Sequence, residues 1–162
     1  MAIARVTAAH EYAVGAVAPD GTVSPNPLAG YSMEELRAFS APVHARVDAR
    51  LAAFRAGGTC PQVEGRTAVL VDDGIATGLT VHSAADYLRR CGAEEIVLAV
   101  PVMPGGLVDE ASEWAEEVVT LEAPEVFHAV GQFYHDFEQT TDDEVLRLLA
   151  VARKDHHEGM PD

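Results

Sequence analysis

The stretch "VLVDDGIATGLT", Val69 to Thr80, sets two carboxylates, Asp72 and Asp73, directly before a loop of glycines and threonines. Gly74 and Gly78 allow tight backbone turns and close approach to a ligand. Main-chain N–H groups from Ala76 to Thr80 can converge on one phosphate at a helix N-terminus, with the hydroxyls of Thr77 and Thr80 as further donors. A hydrogen bond to a charged group contributes about 1.5–3 kcal/mol. Three or four of them, less the cost of association, give micromolar binding of a monophosphate. Lysine is dispensable for a single phosphate, and the GxxxxGK[ST] loop that serves two or three crowded phosphates is absent. The acids would repel a bare phosphate, but they suit the sugar attached to one. Ribose 2′- and 3′-hydroxyls donate, and a carboxylate only accepts. One acid could also hold Mg²⁺ through water, because that ion takes one or two carboxylates plus substrate oxygens. The plainer reading makes the pair a capping turn after a strand.

The flanking pattern supplies the elements that would position this loop. Ala68 to Val71 and Ile96 to Val100 are near-continuous apolar runs, which predict parallel strands buried on both faces. Between them Val81, Ala84, Ala85, Leu88 and Cys91 form a helical stripe, with Arg89 and Arg90 in its last turn and Gly92 as its stop. The result is a strand–loop–helix–strand unit with a right-handed crossover. In an open parallel sheet, ligands sit at the carboxyl ends of the strands, where Asp72 to Thr80 falls.

Upstream, "YAVGAVAPDGTVS" predicts an antiparallel hairpin around Pro-Asp-Gly. Ser32 and Glu35 form a capping box at a helix start. Pro42 is expected to break that helix, with Ser40 capping a second one that runs to Gly57 and Gly58. Downstream come a short helix in "LVDEASEWAEE", a strand in "VVTLE", an irregular stretch "PEVFHAVGQFYHDFEQ", and a last helix opened by the capping box Thr141 with Glu144. The expected division is one domain over residues 1–153 and a frayed tail over 154–162.

The bulk numbers narrow the class. A chain of 162 residues, 48% apolar and 23% charged, is one globular domain's worth of sequence. Its apolar runs fall short of a membrane span, and no basic-then-apolar leader opens it. Cys60 and Cys91 stand alone, without CxxC or the further cysteines of a disulfide scaffold, which fits a reducing cytoplasm. A net charge of -15, with Lys154 the single lysine, opposes binding to nucleic acid. Such a surface suits high salt, where screening suppresses self-repulsion, or belongs to an ordinary acidic protein.

The strand, acid pair and Gly/Thr loop of "VLVDDGIATGLT" resemble the phosphoribosyl-diphosphate (PRPP) binding motif of the type I phosphoribosyltransferases. "YAVGAVAPDG", "AVPVMP" and "FHAVGQFYHDFEQTTDDEV" extend the likeness over about residues 10 to 150, toward one subgroup of phosphoribosyltransferase-domain proteins. The resemblance implies an α/β, Rossmann-like parallel-sheet core with helices on both faces and a short antiparallel hairpin. It implies Mg²⁺, PRPP, transfer of the phosphoribosyl group to a nitrogen acceptor with release of pyrophosphate, and a homodimer. By position, Asp72 and Asp73 would hold ribose hydroxyls and the metal zone. Gly74, Ile75, Ala76, Thr77, Gly78, Leu79 and Thr80 would wrap the 5′-phosphate, and Asp73 is the candidate base.

Two departures accompany the likeness. Family members begin with a strand, a pyrophosphate loop resembling Arg-Gly-Gly, and a helix, and neither "FRAGGT" nor "VMPGGL" occupies that loop's place. This opens a second reading, a non-catalytic module that senses PRPP or a nucleotide, and it raises N-terminal truncation as an explanation. Purine-salvage members carry an acid where Ala76 stands, which argues against a purine acceptor. Other residues have plainer expectations. Trp114 reads as core, and His10, His44, His82 and His128 as scattered residues without ligand spacing. His156, His157 and Glu158 read as a solvated tail, and "FYHDFEQT" as either packing or a base pocket.

Overall fold

The computed structural model describes residues 4–7, 13–55, 62–138 and 140–158. The described residues form two three-stranded sheets. In the first, β1 (Ala4–Thr7), β2 (Ala13–Val17) and β3 (Val23–Pro25) pair antiparallel in that order. The β2–β3 turn is the expected Pro19-Asp20-Gly21, with Gly21 at φ 80°. The tetrapeptide β1 carries too little pattern to be read as a strand beforehand. It pairs Ala4 with Val17 and Arg5 with Ala16.

Helix α1 (Met33–Arg55) packs Leu36, Val43 and Val47 onto Val14 and Val17 of this sheet. Its predicted capping box is present. The Ser32 N–H donates to Glu35 Oε2 at 2.9 Å, and the Glu35 N–H to Ser32 Oγ at 3.3 Å. The break expected at Pro42 does not occur, since one helix runs through it. Ser40 is no second cap: its hydroxyl donates to the Arg37 carbonyl at 2.9 Å, and the residue is buried. Packing of Leu36 before Pro42, and of Val43 and Val47 after it, on the same strands outweighs the missing N–H. Gly57 and Gly58 lie outside the described residues.

The second sheet holds β4 (Thr67–Val71), β5 (Glu95–Val102) and β6 (Glu117–Glu122), all parallel and in that order. The expected crossovers are α2 (Leu79–Arg90) and α3 (Val108–Trp114). They cover one face, where Ala68, Ile96, Leu98 and Val100 meet Val81, Ala85, Leu88 and Trp114. Burial on both faces does not hold. In register on the opposite face, Val69, Val71 and Leu121 are 63%, 70% and 83% exposed. The apolar runs identify the strands correctly, but a run alone cannot say which face receives a cover.

Polar contacts at the amino ends of the strands lock this layer. Glu116 accepts from the Ile96 N–H at 2.7 Å and pairs with Arg89 at 2.9 Å, tying the end of α2 to the start of β5. Both contacts hold its carboxyl below the ordinary range, the Ile96 N–H contributing most. Arg90 pairs with Asp20 at 2.8 Å, joining α2 to the β2–β3 turn of the other sheet. Cys91, at the end of α2, is disulfide-bonded, which corrects its reading as a lone thiol; sequence spacing carries no information on pairing in space. Cys60 lies outside the described residues.

The final helix, α4 (Asp142–Glu158), opens with the expected Thr141–Glu144 box and reaches α1 through an Arg50–Asp142 ion pair. It runs through to Glu158, into the stretch expected to fray. Among the described residues no helix is long and apolar enough to cross a membrane.

Candidate active site at the end of the second sheet

Strand β4 ends at Val71, and the chain then bends through Asp72 and Asp73 before α2 begins. The bend is held on both sides. On one side the Ile75 N–H donates to the Val102 carbonyl at the end of β5, at 3.0 Å. The Ile75 side chain is 2% exposed and belongs to the core. On the other side Tyr134 donates its hydroxyl to the Asp73 carbonyl at 2.5 Å. Asp72 Oδ1 accepts from the Asp73 N–H at 3.0 Å, which fixes the first carboxylate against its neighbour's backbone.

The loop then rises to Gly78, which has φ 73° and precedes α2 directly. The first helical bond runs from the His82 N–H to the Gly78 carbonyl at 2.8 Å. The N–H groups of Leu79, Thr80 and Val81 therefore lie at the open end of α2, where the helix dipole is positive. Among the described residues, the N–H groups of Ala76, Thr77 and Gly78 have no hydrogen-bond acceptor either. Beneath them lies Trp114, its ring stacked on His82 with centroids 5.3 Å apart. A Cβ placed on Gly78 would stand 2.7 Å from Trp114 Cζ3 and nearer still to Cη2. Glycine is thus required there twice over, by backbone conformation and by the indole.

These elements enclose a depression of about 240 Å³, counting its open mouth, lined by Asp72, Gly74, Ile75, Ala76, Thr77, Gly78, Thr80 and Val81. Of the residues singled out from the sequence, Asp73 and Leu79 do not line it. Asp73 is exposed and adjoins the depression through its main chain. Ile75 lines the depression, but its N–H is committed to Val102, so it cannot also serve an anion. Sequence reasoning missed the roles of Val102 and Tyr134, and Val81 as a lining residue. The aromatic-rich stretch "FYHDFEQT" is the signal available for Tyr134.

Carboxylate oxygens suit Mg²⁺. Among the described residues no group of three or more acidic, His or Cys side chains gathers to hold a metal. The two adjacent carboxylates of Asp72 and Asp73 are the residues that could hold such an ion together with substrate oxygens and water. The irregular segment after β6 packs beside the acid pair. Phe127 stacks on Phe133 at 5.5 Å, Tyr134 lies against Phe137 at 5.2 Å, and Val130 stands where a Cβ on Gly74 would reach within 2.7 Å.

Residues 42–138 match the model of the phosphoribosyl transferase domain family. Two proteins from strains of Mycobacterium tuberculosis, provisionally named phosphoribosyl transferases, are each 47% identical over 106 residues. That match covers 65% of this chain and 24% of theirs, so the matched region spans about a quarter of the length of those relatives. A ribose-phosphate pyrophosphokinase from Mycobacterium leprae is 53% identical over 38 residues, 24% of this chain and 12% of that protein. Among solved structures, TT1426 from Thermus thermophilus superposes with a TM-score of 0.70 at 33% identity, covering 91% of this chain and 72% of that one. A parallel sheet whose central crossover opens on an acid pair and an amide-lined loop, together with a family match over more than half of the chain, makes this protein a member of the phosphoribosyl transferase domain family.

Proposed function

We propose that this chain is a phosphoribosyltransferase domain that binds PRPP with Mg²⁺ and transfers its phosphoribosyl group to a nitrogen acceptor, releasing pyrophosphate. The observation that carries this reading is that Ala76, Thr77, Gly78, Thr80 and Val81, whose N–H groups have no acceptor among the described residues, line a depression that Asp72 also lines. The 5′-phosphate sits on those amides and on the hydroxyls of Thr77 and Thr80, where helix dipole and donors act together. Ribose hydroxyls donate to Asp72 and Asp73. In the transfer the C1–O bond to pyrophosphate breaks, a C1–N bond forms, and the acceptor nitrogen gives up a proton, for which Asp73 is the candidate base. The developing positive charge at C1 is favoured by the adjacent carboxylates. When bound, Mg²⁺ neutralises charge on the departing diphosphate.

One observation favours the second reading, a module that binds PRPP or a nucleotide without turnover. None of the described residues lining the depression is basic, so among them no side-chain cation is offered to the diphosphate. Calorimetry with PRPP and Mg²⁺, followed by pyrophosphate release across a panel of nucleobases, separates the two. Binding with release supports the transferase, binding without release supports the sensor, and no binding removes both. The double substitution Asp72→Asn with Asp73→Asn should weaken PRPP binding at least tenfold, about 1.4 kcal/mol. Unchanged affinity would remove the ribose assignment.

A further inference from the structure

We infer that Tyr134 is a positioning residue for the sugar half of the site, holding the acid pair in place through the Asp73 carbonyl; the inference rests on the sugar-phosphate reading above. The contact spans sixty-one positions of sequence and ends on the main chain of the acid pair itself. It does not act alone. Val130, four residues earlier, fills the space beside Gly74, so two neighbouring residues of the bend are braced by one short segment. That segment has its own internal support. Gln132 Oε1 accepts from the N–H groups of His128 and Ala129 at 3.2 and 3.4 Å, and Phe137 packs on both Gly131 and the Tyr134 ring.

The opposite side of the bend is pinned by Ile75 to Val102, so the Asp73–Gly74 peptide is gripped from both flanks. The two grips are not equivalent. The Ile75 contact and Gly78 on Trp114 set the phosphate loop, whereas the Tyr134 hydroxyl donates to the Asp73 carbonyl, on the acid side of the bend. Loss of the hydroxyl should therefore free the acid pair while leaving the amide cluster in place. A sugar hydroxyl accepted by a carboxylate is sensitive to displacement, because a hydrogen bond weakens steeply as its angle at hydrogen bends away from linear.

The test uses two probes, ribose 5-phosphate and inorganic phosphate, titrated into the wild-type protein and Tyr134→Phe with amide NMR as the readout. The expected result is about a tenfold rise in the Kd for ribose 5-phosphate, the scale of one ordinary hydrogen bond, with less than about a twofold change for inorganic phosphate. A merely structural role would weaken both probes together, and that outcome overturns the inference. So does an unchanged affinity for ribose 5-phosphate in the variant. If Y134F loses its cooperative thermal transition, Gln132→Ala, which loosens the turn carrying Tyr134, provides the same comparison; it should show a smaller loss selective for the sugar, and no selectivity there overturns the inference. Failure of the wild-type protein to bind ribose 5-phosphate would instead remove the functional reading, and the inference with it.

Discussion

Replacing Gly78 by alanine tests whether the loop's shape is imposed from below by Trp114. Two costs add. Gly78 has φ 73°, and a non-glycine residue in the left-handed region costs about 1–2 kcal/mol. The new Cβ would also stand 2.7 Å from Trp114 Cζ3 and nearer still to Cη2, against an ordinary carbon contact of about 3.5–4.0 Å. The buried indole must move, and overpacking of this kind costs about 1–3 kcal/mol. Together these make about 2–5 kcal/mol, a loss of about 4–20 °C in Tm for a chain of this size. The displacement reaches the site as well, because the ring it moves stacks on His82 in the first turn of α2. PRPP affinity should therefore fall more than tenfold. Thermal unfolding by circular dichroism in a double-mutant cycle with Trp114→Phe separates the two costs, since the smaller ring leaves room for the Cβ. In that background Gly78→Ala should retain only the backbone part, giving a coupling of about 1–3 kcal/mol. Equal losses in both backgrounds, or no loss in either, would refute the reasoning.

Two bulk properties give further tests. Asp20, Glu35, Glu116 and Glu144 all have carboxyls held below their ordinary values. For Asp20, burial pushes upward, and the hydrogen bonds from Arg90 and Thr22 outweigh it. A lowered native pKa means the folded protein binds fewer protons than the unfolded chain. The contribution is thus complete above the ordinary carboxyl value, about pH 4–5, and is lost as pH falls through the lowered native values. Tm should fall steeply below about pH 4, and replacing Glu116 by glutamine should flatten that fall; an unaltered profile would sink the assignment. The net charge of -15 predicts that raising salt from about 0.1 to about 1 M, which shortens the screening length from about 10 to about 3 Å, raises Tm. A falling Tm would show that attractive pairs such as Arg90–Asp20 outweigh self-repulsion.

What the sequence discloses and what it withholds divide along sequence distance. Both capping boxes are legible because donor and acceptor stand three residues apart, and the structure forms each one. The parallel strands, the crossover helix and the acid–glycine loop are legible for the same reason: each is a pattern contained within a short window of sequence. Pro42 misleads because a local rule meets a non-local force, the packing of α1 on β2 from both sides of the proline. The uncovered face of the second sheet is invisible because apolar strands look alike whichever face is covered.

The glycines show the same limit more sharply. Sequence alone presents Gly74 and Gly78 as aids to tight turning, but each is also confined by a side chain remote in sequence, Val130 and Trp114 respectively. The motif thus records that no side chain fits at these positions, while the reason lies some 36 to 56 residues downstream. A loop that binds through main-chain amides has no side chain of its own to hold its shape, so other elements must supply the rigidity. Here β5, α3 and the segment after β6 do so at Ile75, Gly78 and Asp73. It follows that substitutions at Val102, Trp114, Val130 and Tyr134, none of which belongs to the motif, should alter binding at this site in proportion to how far each displaces the backbone it braces.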